Sequence, residues 1–294
     1  MRLAPALALV ATIAGAPLAA FAADEEPTTI HAVSLRGGTV TQLALGDGAL
    51  ADPAWSRDGR KVLFSAYPCE GCPPQIKVAT LGRHSAPLRI ATGVRPRWSP
   101  DGRTVAYVAT SGAVELVGAD GKHQRRLARV GLSDDSPSWA PDGRRIAFSA
   151  QLPGGKHVLF SVGADGGGLR RLAAGADPAW SPNGRTIAFA QVRPNGTWHL
   201  YSVSAAGGRP RWIGAAAGET DVGGGSSSPS DTQPAWSPDG RRIAFTRHFA
   251  GASGAVHVMP ADGGAARRVT PAMFDAIDPA WSPDGSRIAF VARP

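Results

Sequence analysis

Six stretches of the chain repeat one short pattern of apolar and polar positions. In Asp278–Phe290 it reads DPAWSPDGSRIAF: Pro-Ala-Trp, a polar Ser-Pro-Asp-Gly, then Ile-Ala-Phe, which runs large, small, large. Near-copies occupy Asp52–Phe64, Arg95–Tyr107, Ser136–Phe148, Asp177–Phe189 and Gln233–Phe245. Alternation with a period of two marks a strand with one face on a core. Ser-Pro-Asp-Gly between two such runs predicts a type I turn, in which Pro presets φ and Gly takes the left-handed conformation that closes the hairpin. The small central residue (Ala106, Ala147, Ala188, Ala244 and Ala289) leaves room for a neighbouring sheet to come close. A second hairpin follows in most units, as in 114–128, 159–173 and 256–270, with Ala-Asp-Gly at its turn. Each unit therefore predicts four antiparallel strands.

The spacing sets the architecture. Trp55, Trp98, Trp139, Trp180, Trp236 and Trp281 lie 43, 41, 41, 56 and 45 residues apart. A period of about 40–45 residues with strand content predicts a β-propeller, one blade per repeat. Residues 29–44 form a second hairpin with no Trp strand before it, and the chain ends on a first hairpin. The two halves are predicted to complete a sixth blade. The expected fold is all-β: a six-bladed propeller of four-stranded antiparallel blades, its ring closed by N- and C-terminal strands that remove open edges.

The motif W-S-P-D-G-x-x-I-A-F resembles the repeats of the TolB-type propeller family, the WD40-like PD40 repeats, across residues 29–294. The resemblance implies a propeller of the cell envelope. TolB itself has an α/β domain before its propeller, and this chain is expected to lack it. A role in the Tol system is not carried over.

Composition changes this picture little. Gly (37) and Pro (25) suit many tight turns, and 43% hydrophobic residues is an ordinary globular content. The N-terminus reads as an export signal, residues 1–22: Arg2, an apolar Leu3–Ala20, the small-x-small Ala20-Phe21-Ala22, then Asp24-Glu25-Glu26. Residues 23–28 form a short segment, 29–294 the propeller, and 214–233 a flexible Gly/Ser-rich insertion. The expected location is periplasmic or secreted, with no transmembrane segment after cleavage. The net charge of +8 suits an envelope or secreted protein partner, an anionic glycan or a lipid head group. Export argues against nucleic acid, and a monomer is expected.

The Ser-Pro-Asp-Gly and Ala-Asp-Gly turns share one face and repeat closely. The other links differ in every unit, among them 66–75, 129–136, 190–198, 247–255 and 270–277. Varied loops on a rigid scaffold are free to recognise a partner. The expected function is therefore non-catalytic protein–protein interaction across the variable face and central funnel. Asp52, Arg95, Ser136, Asp177, Gln233 and Asp278, each three residues before its Trp, are placed at the funnel mouth. Asp278 and Asp52 in adjacent blades either hold a cation or basic side chain, or start their strands and bind local backbone.

Cys69 and Cys72 are read as a disulfide within one loop. Trp198 and His248 are loop candidates, Trp198 for stacking on a ligand or for plain packing. The histidines predict no shared metal site, and no cofactor is expected beyond an axial cation. No G-x-S-x-G elbow, P-loop or dinucleotide fingerprint is present. The alternative function is a propeller enzyme or glycan-binding protein using the axial Asp residues with His248.

Overall fold

A computed structural model describes residues 28–43, 48–83, 85–131, 133–214, 229–249 and 253–293. The predicted export signal lies outside these residues, as do 215–228 of the predicted insertion. The described residues form 23 strands and no helix, in five sheets of antiparallel strands. Four sheets have four strands and one has seven.

One sheet shows how the pattern folds. Its strands are Ser133–Trp139, Arg145–Leu152, Lys156–Gly163 and Arg170–Ala174, hydrogen-bonded in chain order. Pro141-Asp142-Gly143 closes the first hairpin: Gly143 N–H donates to the Ala140 carbonyl, and Gly143 has φ +70°. Ile146, Ala147 and Phe148 are fully buried on the second strand. The corresponding aromatics elsewhere, Phe64, Tyr107, Phe189, Phe245 and Phe290, are equally buried. Each such ring contributes about 2–3 kcal/mol of hydrophobic stabilisation.

In the seven-stranded sheet, the long strand Leu88–Trp98 serves twice. Residues 88–92 pair with Gln75–Thr80, and residues 93–98 pair with Thr104–Ala109. Thr29–Ser34 pairs along its length with the last strand, Arg287–Arg293, with Ile30 opposite Val291 and Val33 opposite Ile288. The first and last described strands therefore share one sheet, whose innermost strand is Asp275–Trp281.

Adjacent sheets are joined through the repeated residues. The indole N–H of Trp139 donates to the Arg97 carbonyl (3.2 Å), that of Trp236 to Ala179 (3.0 Å) and that of Trp281 to Ala235 (3.0 Å). Each acceptor directly precedes the tryptophan of the sheet before. Arg242 lies over the Trp281 ring and Arg287 over the Trp55 ring, at 4.8 and 5.0 Å. At the outer edge, Arg125 donates to the Ala164 carbonyl and Arg170 to that of Ala205 (2.9 Å). Arg125 and Arg170 thus reach the next sheet's turn.

The insertion is shorter than the sequence suggests. Ser230–Trp236 is a strand, so Ser230 to Gln233 belong to the sheet. Polar composition made this segment look like loop. A buried bidentate ion pair holds it: Arg247 Nε and Nη2 lie 2.8 and 3.0 Å from the Asp231 carboxylate.

Candidate functional site

The six residues three positions before each tryptophan share an unusual backbone. Asp52, Arg95, Ser136, Asp177, Gln233 and Asp278 all have positive φ, between 47° and 54° or, for Arg95, 55°. Left-handed backbone costs a non-glycine residue roughly 1–2 kcal/mol. A following proline, present in all six, further disfavours helical backbone. At each site the innermost strand slips register against its neighbour, as between Ala51 and Ala54 or Ile277 and Ala280. The repeat thus builds a β-bulge into the middle of every innermost strand, which re-aims one side chain.

These side chains line one cavity of about 350 Å³, together with the Pro-Ala-Trp positions that follow and with Pro100 and Pro182. The cavity runs towards the repeated turns. Among the described residues, none of the varied loops lines it apart from Ser136 and Gln233.

The lining residues form two linked groups. In the first, Arg95 reaches two other strands: its Nε lies 3.0 Å from Asp135 and its Nη1 3.3 Å from Asp177. Arg95 Nη1 also donates to Ser136 Oγ, and that hydroxyl donates to Asp177 at 2.8 Å. The Arg95 backbone N–H donates to Asp52 Oδ2 at 3.1 Å, which Ser65 Oγ also meets at 2.7 Å. Asp52 thus holds the backbone of the next innermost strand. In the second group, the Gln233 amide donates to Asp278 Oδ1, and the Asp278 backbone N–H donates to Gln233 Oε1 at 3.2 Å. Thr246 Oγ1 supports the same Gln233 oxygen at 2.7 Å.

Charge in the cavity is unbalanced. Burial, then the neighbouring Asp52 charge, pushes the Asp278 carboxyl up to about 7 against the pull of Arg95 and Arg97. Burial also pushes Asp135 up to about 6, although Arg95 pulls it down. Burial lowers Arg95, but Asp135 and Asp177 more than offset this and hold it firmly protonated. The Tyr67 phenol is raised by burial and then by Asp52.

Asp135, Ser65 and Thr246 were not among the sequence candidates. Ser133-Asp134-Asp135-Ser136 carried the only local sign of Asp135, a polar run just before a Pro-x-Trp. Trp198 lies apart from the cavity: it is 6% exposed and packs with Leu200, Ile213 and Met259. Its packing partners include the His157 ring, edge-on at 5.9 Å. His248 is half-buried, and burial lowers its pKa. Cys69 and Cys72 form a disulfide in the loop after Lys61–Tyr67. Among the described residues, no group of three or more His, Cys, Asp or Glu is arranged to hold a metal.

The repeat geometry agrees with what known proteins show. The family model for the TolB β-propeller domain (PD40) matches residues 14–177 and 173–294. The chain belongs to the TolB β-propeller family. A putative TolB from Agrobacterium tumefaciens superposes on this TolB-type propeller with a TM-score of 0.75 at 22% identity, covering 91% of this chain and 98% of that one. TolB from Acinetobacter baumannii gives 0.60 at 14% identity, covering 90% of this chain and 63% of that one. Oligogalacturonate lyase from Vibrio parahaemolyticus gives 0.56 at 12% identity, covering 92% and 98%. These likenesses are of fold. Among curated proteins, none matches the sequence. No helix of the described residues is long and apolar enough to cross a membrane.

Proposed function

We propose that this TolB-type propeller is a closed ring of six four-stranded blades, exported to the cell envelope, that binds a protein partner without catalysis of its own. Splitting the seven-stranded sheet at Gly93 gives two blades, and the shared terminal sheet gives the sixth. The ring reading is supported by the packing of Asp275–Trp281 against Ala49–Trp55, which brings the terminal sheet beside the first complete one.

The partner is seated across the variable-loop face and reaches the central cavity. One observation carries this reading: six side chains are held on the axis by a backbone conformation that costs energy at every copy. Such strain persists where function uses the placement. The cavity is lined by Asp52, Asp177 and Asp278 against Arg95 and Arg97, and Asp135 engages Arg95, so the segment that enters it is basic. Crosslinking to envelope proteins tests this. Wild type should capture a discrete partner, and Asp52→Asn/Asp278→Asn should lose it while remaining folded. Equal capture by both would overturn the axial contact.

The raised Asp278 beside Asp52 favours one second reading, a propeller enzyme or glycan-binding protein with an axial ligand. Elemental analysis of the purified protein separates the two, because bound metal in stoichiometric amount supports only the second.

A further inference from the structure

A second cavity lies away from the axis, on the face of the repeated turns. This open cleft of about 840 Å³ runs between the sheet that carries Trp98 and the one that carries Trp139. Leu116 and Trp139 give it apolar surface, and Arg57, Arg103, His123 and Arg125 border it.

A turn that departs from the repeat and a turn with strained backbone meet here. Arg57 stands where the other five units have proline: Pro100, Pro141, Pro182, Pro238 and Pro283. Its guanidinium crosses to the next turn, with Nη1 3.4 Å from the Pro100 carbonyl. His123 stands where the next unit has Gly168. The two share one conformation, φ +58° for His123 and +60° for Gly168. Glycine adopts that conformation freely, whereas the β-carbon of His123 strains it. Strain kept at one copy of a repeat, beside a cavity, marks a site that uses the side chain.

Three arginines face three aspartates, so the formal charges balance, and the unused donors favour an anion. Asp101, Asp120 and Asp142 also line the cleft, but the Oδ1 of each accepts a backbone N–H of its own turn, from Arg103, Lys122 and Arg144 at 3.0, 3.0 and 2.9 Å. The cations are less occupied. Arg125 donates to the Ala164 carbonyl and Arg57 to that of Pro100. Each guanidinium has five N–H donors in a fork that matches oxyanions, so one carbonyl leaves most of them unused.

We propose that this cleft binds a small polyanion, its carboxylate, phosphate or sulfate oxygens held by Arg57, Arg103 and Arg125, with His123 adding a ring N–H. The site adjoins the axial cavity at Pro100 and Trp139 but uses other charged residues, and it does not rest on the reading given for that cavity.

Calorimetric titration with pyrophosphate, citrate and a sulfated disaccharide tests the proposal and distinguishes the sources of the anion. Two variants suit the local backbone and so preserve the fold: Arg57→Pro, the residue of the other five units, and His123→Gly, the residue of the next unit. At least one probe should bind wild type with a dissociation constant of about 1 mM or below. Each variant should weaken that binding about tenfold or more, with Tm unchanged or, for His123→Gly, raised. Asp177→Asn on the axis should bind as wild type does. The proposal is overturned if no probe binds, if both variants bind as well as wild type, or if only Asp177→Asn weakens binding.

Discussion

Arg95 and Asp177 lie 82 residues apart in sequence, yet their side chains meet at 3.3 Å across the wall of the axial cavity. Between them stands Ser136, which accepts from Arg95 and donates to Asp177. Three innermost strands are thereby tied at one level by a single guanidinium. The same guanidinium holds Asp135 at 3.0 Å.

Removing that cation should therefore cost more than a surface charge would. Arg95→Gln leaves Asp135 and Asp177 close together without compensation. The expected loss is about 2–4 kcal/mol at pH 8. Asp135 has its folded pKa raised to about 6, so the folded state holds its proton more tightly than the unfolded chain. Stability from this group falls as pH rises through roughly 4 to 6. The Arg95→Gln deficit should shrink at pH 5, and denaturant titration at the two pH values checks it.

Asp278→Asn should act in the opposite sense. The Asp278 carboxyl, raised to about 7, is charged above that pH in both folded and unfolded chain, at a cost in the folded one. An amide keeps an oxygen to accept from Gln233 and carries no charge. The variant should gain about 1–3 kcal/mol at pH 8 and little at pH 4, where the wild-type carboxyl is itself protonated. Equal effects at both pH values would contradict the electrostatic account.

The tryptophans allow a controlled comparison. Trp281 donates to the Ala235 carbonyl, whereas the buried Trp55 Nε1 has no partner among the described residues. Both rings carry an arginine at about the same height and both are 8% exposed. Trp281→Phe should cost about 1 kcal/mol more than Trp55→Phe, the value of one hydrogen bond. Thermal unfolding of the two variants measures the difference.

A further test concerns Asp231 and Arg247, directly opposite each other and almost fully buried. At the same level other sheets pair Leu50 with Ala66 and Ala276 with Ala292. Asp231→Ala should cost about 3–5 kcal/mol by removing the buried carboxylate that meets Arg247 Nε and Nη2. Asp231→Ala combined with Arg247→Leu should cost less than the single change. Chemical denaturation of both variants checks this order.

Turns and strands were legible because their signals are local. Trp-Ser-Pro-Asp-Gly carries its own φ preferences, and Ile-Ala-Phe its own alternation. The six candidate residues line one cavity, but the partners they take in neighbouring strands were not legible. Asp52 holds the Arg95 amide of the next strand, a contact between residues 43 apart that no local pattern encodes. Asp135 was missed because its partner, Arg95, belongs to a different repeat. Trp198 left two readings open for the same reason: an aromatic beside a loop reads alike whether it faces solvent or, as here, Leu200 and Met259. The strand at Ser230 was hidden by polar composition, since an ion pair from the facing strand holds it. The repeated turns were read as uniform, yet Arg57 breaks the repeat beside the strained His123 at one cleft.

The proposed closed ring rests on the pairing of the two terminal strands, with Thr29 opposite Ala292. Cysteines at these two positions should oxidise to a disulfide within one molecule and raise the unfolding temperature markedly, because the bridge closes a loop of nearly the whole chain. Disulfide-linked dimers, or thiols that stay free in the folded protein, would contradict the ring.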